Sequence, residues 1–163
     1  MLFRSGGKIY ACGGANFNFA FSSVEVYDPQ KNRWSPGAPM KRPRGFHDVV
    51  PVRGFLYALG GAEMQNGELS NIQASAERFC PRTNQWTVIK SLYLPCWGVG
   101  AAVNERSRDQ ETDVYIVGQF HTDSGFGAVA RLCVGDDESH LLTHIPYFDE
   151  PSPRIQAGVV IMP

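Results

Sequence analysis

The feature that leaves this chain the fewest ways to fold is a repeat. Phe55-Leu56-Tyr57-Ala58-Leu59-Gly60-Gly61, then Ala76-Glu77-Arg78-Phe79-Cys80-Pro81, then Asn84-Gln85-Trp86, is a near copy of an earlier series. That series runs Ile9-Tyr10-Ala11-Cys12-Gly13-Gly14, Val24-Glu25-Val26-Tyr27-Asp28-Pro29, Asn32-Arg33-Trp34. Tyr10 to Tyr57 and Gly13 to Gly60 are 47 positions apart, whereas Pro29 to Pro81, Asn32 to Asn84, Trp34 to Trp86 and Pro43 to Pro95 are all 52 apart. The difference lies between the Gly pair and the Glu, where the second copy has the longer loop. A worn third copy follows at Val114-Tyr115-Ile116-Val117-Gly118-Gln119, with Tyr57 to Tyr115 and Pro95 to Pro153 both 58 positions apart. Its extra residues fall in the polar run 104–113. Insertions confined to polar loops, with apolar segments in register, mark one structural unit used several times over.

Within each unit the apolar runs are short, rich in Val, Ile, Tyr and Phe, and bounded by Gly, Pro, Asn and Asp, which is the pattern of strands joined by turns. Expected strands cover 8–14, 22–28 and 33–35 in the first unit. They cover 45–52, 55–61, 76–80 and 85–89 in the second, with 62–75 a long polar connection. In the third they cover 96–103, 114–117, 128–134 and 141–145, and residues 154–162 supply one more. On this count the first unit lacks its first strand. The pairs Val49-Val50, Ala101-Ala102 and Val159-Val160 occupy matching positions, and small residues suit a strand crowded against a central axis.

These motifs resemble the kelch repeat, a unit of about 50 residues that forms a four-stranded propeller blade. The resemblance rests on the apolar-Tyr strand ending in Gly-Gly, the Glu-x-Tyr/Phe-x-Pro strand and the Trp after a polar turn. It covers nearly the whole chain, with units of roughly 1–42, 43–94 and 95–152 and a final inner strand at 153–163. The fold it implies is all-β: about three four-stranded antiparallel blades of a kelch-type propeller in an open arc. Trp34 and Trp86 are then expected to wedge between blades. A complete propeller typically has 4–8 blades, so an arc of three exposes apolar blade faces that favour self-association.

The chain looks most similar to the kelch-like adaptors, which carry BTB and BACK domains and present substrates to cullin-based ubiquitin ligases. That resemblance implies a non-catalytic module that binds a protein or peptide partner on its loop face, with cullin contacts made by domains absent from these residues. The implied partner-binding residues are Arg44, Phe46, Phe17, Phe19, Tyr93, Trp97, His121 and Arg154. Pro43-Arg44 and Pro153-Arg154 match the Pro-Arg that leads into inner strands in the family, where the planar guanidinium can grip a carboxylate; the middle copy has Pro95-Cys96-Trp97 instead. The opposing reading of Arg44 and Arg154 is a tie between adjacent blades. The alternative functions are an actin-binding structural kelch protein and, less favoured, a kelch-fold enzyme of the galactose oxidase-like or sialic acid epimerase-like kind.

Composition narrows the classes further. Hydrophobic residues at 43% with charged residues at 19% describe a globular chain. Its formal charge of −1 offers no field for nucleic acid or an anionic membrane. No apolar run reaches the roughly 18 residues that a membrane-spanning helix needs. Cys12, Cys80, Cys96 and Cys133 are scattered, and the first, second and last lie in apolar strands. They read as small buried hydrophobes of a reducing compartment, cytosol or nucleus. No cofactor or metal is expected. Gly98-Val99-Gly100-Ala101-Ala102-Val103 nearly matches a dinucleotide fingerprint, but the same segment aligns with inner strands and no helix follows it. His140 and His144 share one face of either a helix or a strand, without a third ligand at metal-binding spacing.

Overall fold

The computed structural model describes residues 2–89, 92, 94–104, 112–120, 127–134 and 140–145. They form three four-stranded antiparallel sheets. The first holds β1 (Leu2–Ser5), β2 (Lys8–Cys12), β3 (Val24–Asp28) and β4 (Arg33–Pro36) in that order. The second runs β5 (Asp48–Val52), β6 (Phe55–Leu59), β9 (Ala76–Cys80), β10 (Gln85–Ile89). Between β6 and β9 stands a two-stranded hairpin, β7 (Glu63–Gln65) and β8 (Glu68–Ser70). The third sheet is β11 (Cys96–Asn104), β12 (Thr112–Phe120), β13 (Gly127–Val134) and β14 (His140–Ile145).

Two expectations about strands are corrected here. The first blade does have its inner strand: Leu2–Ser5 pairs with Lys8–Ala11 through the Gly6-Gly7 turn, a pairing too short and too close to the chain start to show a pattern. The connection 62–75 is not wholly irregular, because Asn66-Gly67, both at positive φ, makes the tight turn of the β7–β8 hairpin. Gly98 to Val103 lies in β11 and is followed by the strand β12, so it has no phosphate-binding helix after it. The expected inner strand at 153–163 falls outside the described residues.

The middle blade is apolar on both faces because it is sandwiched. Along β6, Leu56 and Ala58 pack into the seam with the first blade, and Tyr57 and Leu59 into the seam with the third. β5 divides the same way, with Val49 on one side and Val50 and Val52 on the other.

The seams repeat more faithfully than the sequence does. Gly14 N–H donates to Arg44 O at 2.8 Å and Gly61 N–H to Cys96 O at 2.8 Å. Arg44 N–H donates to Phe21 O and Cys96 N–H to Gln73 O; Met40 N–H donates to Ser22 O and Leu92 N–H to Ala74 O. The Gly pair is required by this proximity. At Gly60, whose φ is +61°, a Cβ would lie 2.6 Å from Cys96 Sγ and 2.8 Å from Cys96 O, so any side chain would push the blades apart.

The Trp expectation holds for one residue and fails for the other. Trp86 is 3% exposed, stacks on Phe79 at 5.1 Å between centroids, and donates Nε1–H to Ala38 O of the connector leading out of the first blade. Asn84, at φ +54°, turns its Oδ1 to the N–H of the same Ala38. Trp34 holds the equivalent place in β4 but is 47% exposed, resting on Tyr27 alone among the ring contacts. The reason is directional: this Trp packs against the preceding blade, and none of the described residues lies on that side of β4.

Truncation separates the two. Trp86→Ala removes a buried ring from a seam and is expected to cost about 3–5 kcal/mol, whereas Trp34→Ala should cost less than about 1 kcal/mol. Urea unfolding of both variants checks this, and equal losses would contradict the seam assignment.

Candidate functional site

The connectors that leave one blade and lead into the next share an end of the structure with the loops after each Gly pair. At the first seam this end begins with Arg44. It is fully buried, and all five of its side-chain N–H donors are spent inside the fold. Nε donates to Glu77 Oε1 (3.3 Å), Nη1 to Gly60 O (2.6 Å) and Ser75 O (2.8 Å), and Nη2 to Ser75 Oγ (2.8 Å) and Glu77 Oε1 (3.0 Å). Glu77, equally buried, also accepts from the backbone N–H groups of Lys41 (2.6 Å) and Arg42 (3.1 Å). Burial lowers the Arg44 pKa while the Glu77 carboxylate opposes the shift. Arg44 is therefore removed from the partner-binding set. Its backbone pairs with the first blade and its side chain with the second, which makes it the inter-blade tie.

Other expected site residues do reach the surface. Phe17 is 70% exposed, Phe19 is exposed beside Phe21 in an edge-to-face pair at 5.3 Å, and Phe46 is 47% exposed. Phe46 meets the half-buried Trp97 edge-to-face at 6.4 Å. Three backbone contacts join these rings into one face. Gly67 N–H at the hairpin tip donates to Phe17 O, Gly45 bridges Ala62, and Val99 N–H donates to Phe46 O. Asn16 stiffens the Phe17 loop by accepting from Asn18 N–H and Phe19 N–H, both at 2.9 Å. Tyr93, His121 and Arg154 lie outside the described residues.

Phe46 is the unusual member. Its φ is +55°, and the residue 52 positions on, Gly98, has φ +61°. The connector needs a left-handed residue at this place, and only glycine adopts that conformation without penalty. A bulky aromatic there costs stability, of order 1–3 kcal/mol, yet its ring points substantially into solvent. Sequence reasoning missed the hairpin; the longer loop of the second copy was the available signal.

Beneath the face lie two buried ionisable groups. His47 is 3% exposed and neither ring nitrogen has a hydrogen-bond partner. Its pKa is pushed down to about 3, by burial above all, with the Arg44 guanidinium acting in the same direction and the backbone of Arg44 and of Cys12 opposing part of the fall. Asp48 accepts from Val49 N–H (2.8 Å) and, across the seam, from Ala101 N–H (2.7 Å), bracing adjacent inner strands. Burial raises its pKa and those two bonds oppose the rise. Cys96, in the place of Arg44 one repeat later, is buried with its thiol pushed up to about 12. Cys12 and Cys133 are buried as expected, whereas Cys80 is only half-buried. Among the described residues no three His, Cys, Asp or Glu side chains are grouped to hold a metal ion, and no helix is long and apolar enough to cross a membrane.

The family profile of the kelch motif matches residues 4–41 and 43–92, more than half of the chain. This chain belongs to the kelch-repeat family. It is 26% identical to human Kelch-like protein 33 over 150 residues, covering 90% of this chain and 24% of that protein. It is 35% identical to human Kelch-like protein 26 over 104 residues (60% and 16%), and 36% identical to F-box protein AFR of Arabidopsis thaliana over 86 residues (53% and 22%). The chain thus spans about a quarter or less of these relatives. Among solved structures, YjhT superposes with a TM-score of 0.67 at 17% identity, over 92% of this chain and 52% of that one, which shows the propeller fold.

Two outcomes test the buried groups. Arg44→Ala leaves the Glu77 carboxylate buried without its cation, and should cost about 3–5 kcal/mol in chemical unfolding; an unchanged midpoint would contradict the tie. For His47 the folded pKa lies below the unfolded value of 6.5, so the unfolded chain takes up the extra proton. Stability is then whole above pH 6.5 and falls as pH drops towards 3, by about 2 kcal/mol at pH 5. Urea midpoints from pH 7.5 to 4.5 should show that slope in the wild type and a shallower one in His47→Leu.

Proposed function

We propose that this chain is a non-catalytic protein-interaction module that holds a protein or peptide partner on its aromatic loop face. Within that reading it is the substrate-recognition part of a kelch-like adaptor for a cullin-based ubiquitin ligase. The ligase contacts are made by domains outside these residues, and the module acts in the cytoplasm. Support for the adaptor role comes from likeness to Kelch-like proteins 33 and 26.

The observation that carries the binding face is Phe46. A solvent-facing aromatic held at φ +55° strains the backbone and buries only part of its ring. Selection for stability alone favours the glycine that the next repeat has. A ring that gains a partner has a reason to stay. Phe17, Phe19, Phe21 and Trp97 extend the surface, and large rigid aromatics at the centre of a patch are the side chains that dominate interface energies.

Affinity capture with the wild-type chain, Phe46→Gly and Trp97→Ala tests this. Phe46→Gly should lose the captured proteins while its melting temperature stays level or rises, since the strain is relieved. Trp97→Ala should weaken capture as well. Expressing the chain in excess should lengthen the half-lives of the captured proteins, because it occupies them without delivering them to a ligase. Undiminished capture by Phe46→Gly would sink the face, and unchanged half-lives would sink the adaptor role alone.

A further inference from the structure

The charge of this face is not the one that the Pro-Arg motif suggests. With Arg44 buried against Glu77, one of the two Pro-Arg cations that were to meet an acidic partner is absent from the surface, and the other, Arg154, lies outside the described residues. The loop 15–22 carries no charged residue at all. The hairpin beside it carries two, both acidic, and no Lys or Arg occurs from 54 to 77. The β7–β8 register pairs Glu63 with Ser70 and Gln65 with Glu68, so Glu63 and Glu68 project from the same face of the hairpin as near-diagonal neighbours.

Their position relative to the rings follows from the backbone. Ala62, next to Glu63, bridges Gly45, next to Phe46, and the hairpin tip touches Phe17 through Gly67. Glu63 is half-buried with Oε1 accepting from Asn71 Nδ2 at 2.6 Å, which holds that carboxylate in place, while Glu68 is exposed. Among the described residues, Lys41 and Arg42 are the basic residues of the connector that leads to this end. Their backbone N–H groups bond Glu77 in β9, which places them over the third strand of the middle blade, away from the inner-strand side that Phe46 occupies. The hairpin is also the insertion that distinguishes the second copy from the first, and added loops on a repeated scaffold are where binding specificity is built.

We propose that the segment bound by the aromatic face carries a lysine or arginine flanked by apolar side chains, with the cation set between the hairpin carboxylates and the neighbouring rings. Carboxylates supply charge-assisted hydrogen bonds to such a cation, and aromatic faces attract it through their negative quadrupole. The protein already uses that second contact internally, where the Arg78 guanidinium lies 4.6 Å above the centre of the Phe55 ring. This inference rests on the loop face being the binding surface and adds the chemical class of the partner.

The test is selection of a random peptide display library on the full chain, followed by anisotropy titration of the recovered peptides. Recovered binders should be enriched in Arg or Lys beside apolar residues. Their affinity should fall by about tenfold for Glu68→Lys, and should weaken as NaCl rises from about 50 to 300 mM. Glu68 is exposed, so its reversal leaves the fold intact; circular dichroism checks this. Binders that are acidic or uncharged, lost with Phe46→Gly but unaffected by Glu68→Lys, would overturn the charge assignment and leave the face standing. Recovery of no binder would overturn both.

Discussion

Arg44 and Glu77 form the interaction on which the rest depends. Two fully buried ions pair at 3.0 Å, and each has its remaining hydrogen-bonding capacity met by backbone or Ser75. Such a pair contributes little net stability, because desolvation offsets most of the attraction. What it contributes is registration. The Arg44 backbone pairs with the first blade's loop, its side chain reaches the ends of β6 and β9, and Glu77 gathers the approaching connector. A blade shifted by one residue would leave a charge buried without a partner. Apolar packing of Phe79, Trp86 and Leu56 attracts the sheets to each other without choosing the alignment.

The second seam reaches the same backbone geometry without the ion pair. Cys96 stands in place of Arg44, its thiol pressed against Gly60, and the hydrogen bonds from Gly61 and to Gln73 are retained. Backbone pairing and the missing Cβ atoms of the Gly pair therefore define the blade-to-blade contact, and side chains specialise it. This explains how the third copy departs so far from the first two and still forms a four-stranded sheet.

The same connectors build the seam and the binding face. Arg44 points inward and Phe46, two residues on, points outward, with Gly45 packed against Ala15 between them. A change in how blades meet thus moves the aromatic face, and His47 lies in that junction without a hydrogen bond for its ring. Placing the surface on residues adjacent to the seam makes it rigid, which limits the ordering cost of binding.

The all-β class, the strand-ending glycines and the buried Trp86 were legible in the sequence, because a repeated motif reports interactions that every blade makes. Phe17, Phe19 and Phe46 were singled out too, although Phe46 was read into an inner strand over 45–52 that in the structure begins only at Asp48. Three things were decided by tertiary structure. Trp34 carries the same motif as Trp86 and is exposed, since its burial depends on a preceding blade rather than on its own strand. Arg44 has the Pro-Arg pattern of a surface arginine but is consumed by Glu77, a residue 33 positions away that only the packing of connector against β9 brings within reach. The β7–β8 hairpin escaped a reading by periodicity because its strands are three residues long, and its two carboxylates share a face only once that register exists. Local pattern reports what a segment prefers, whereas burial and partnership depend on what the fold sets beside it.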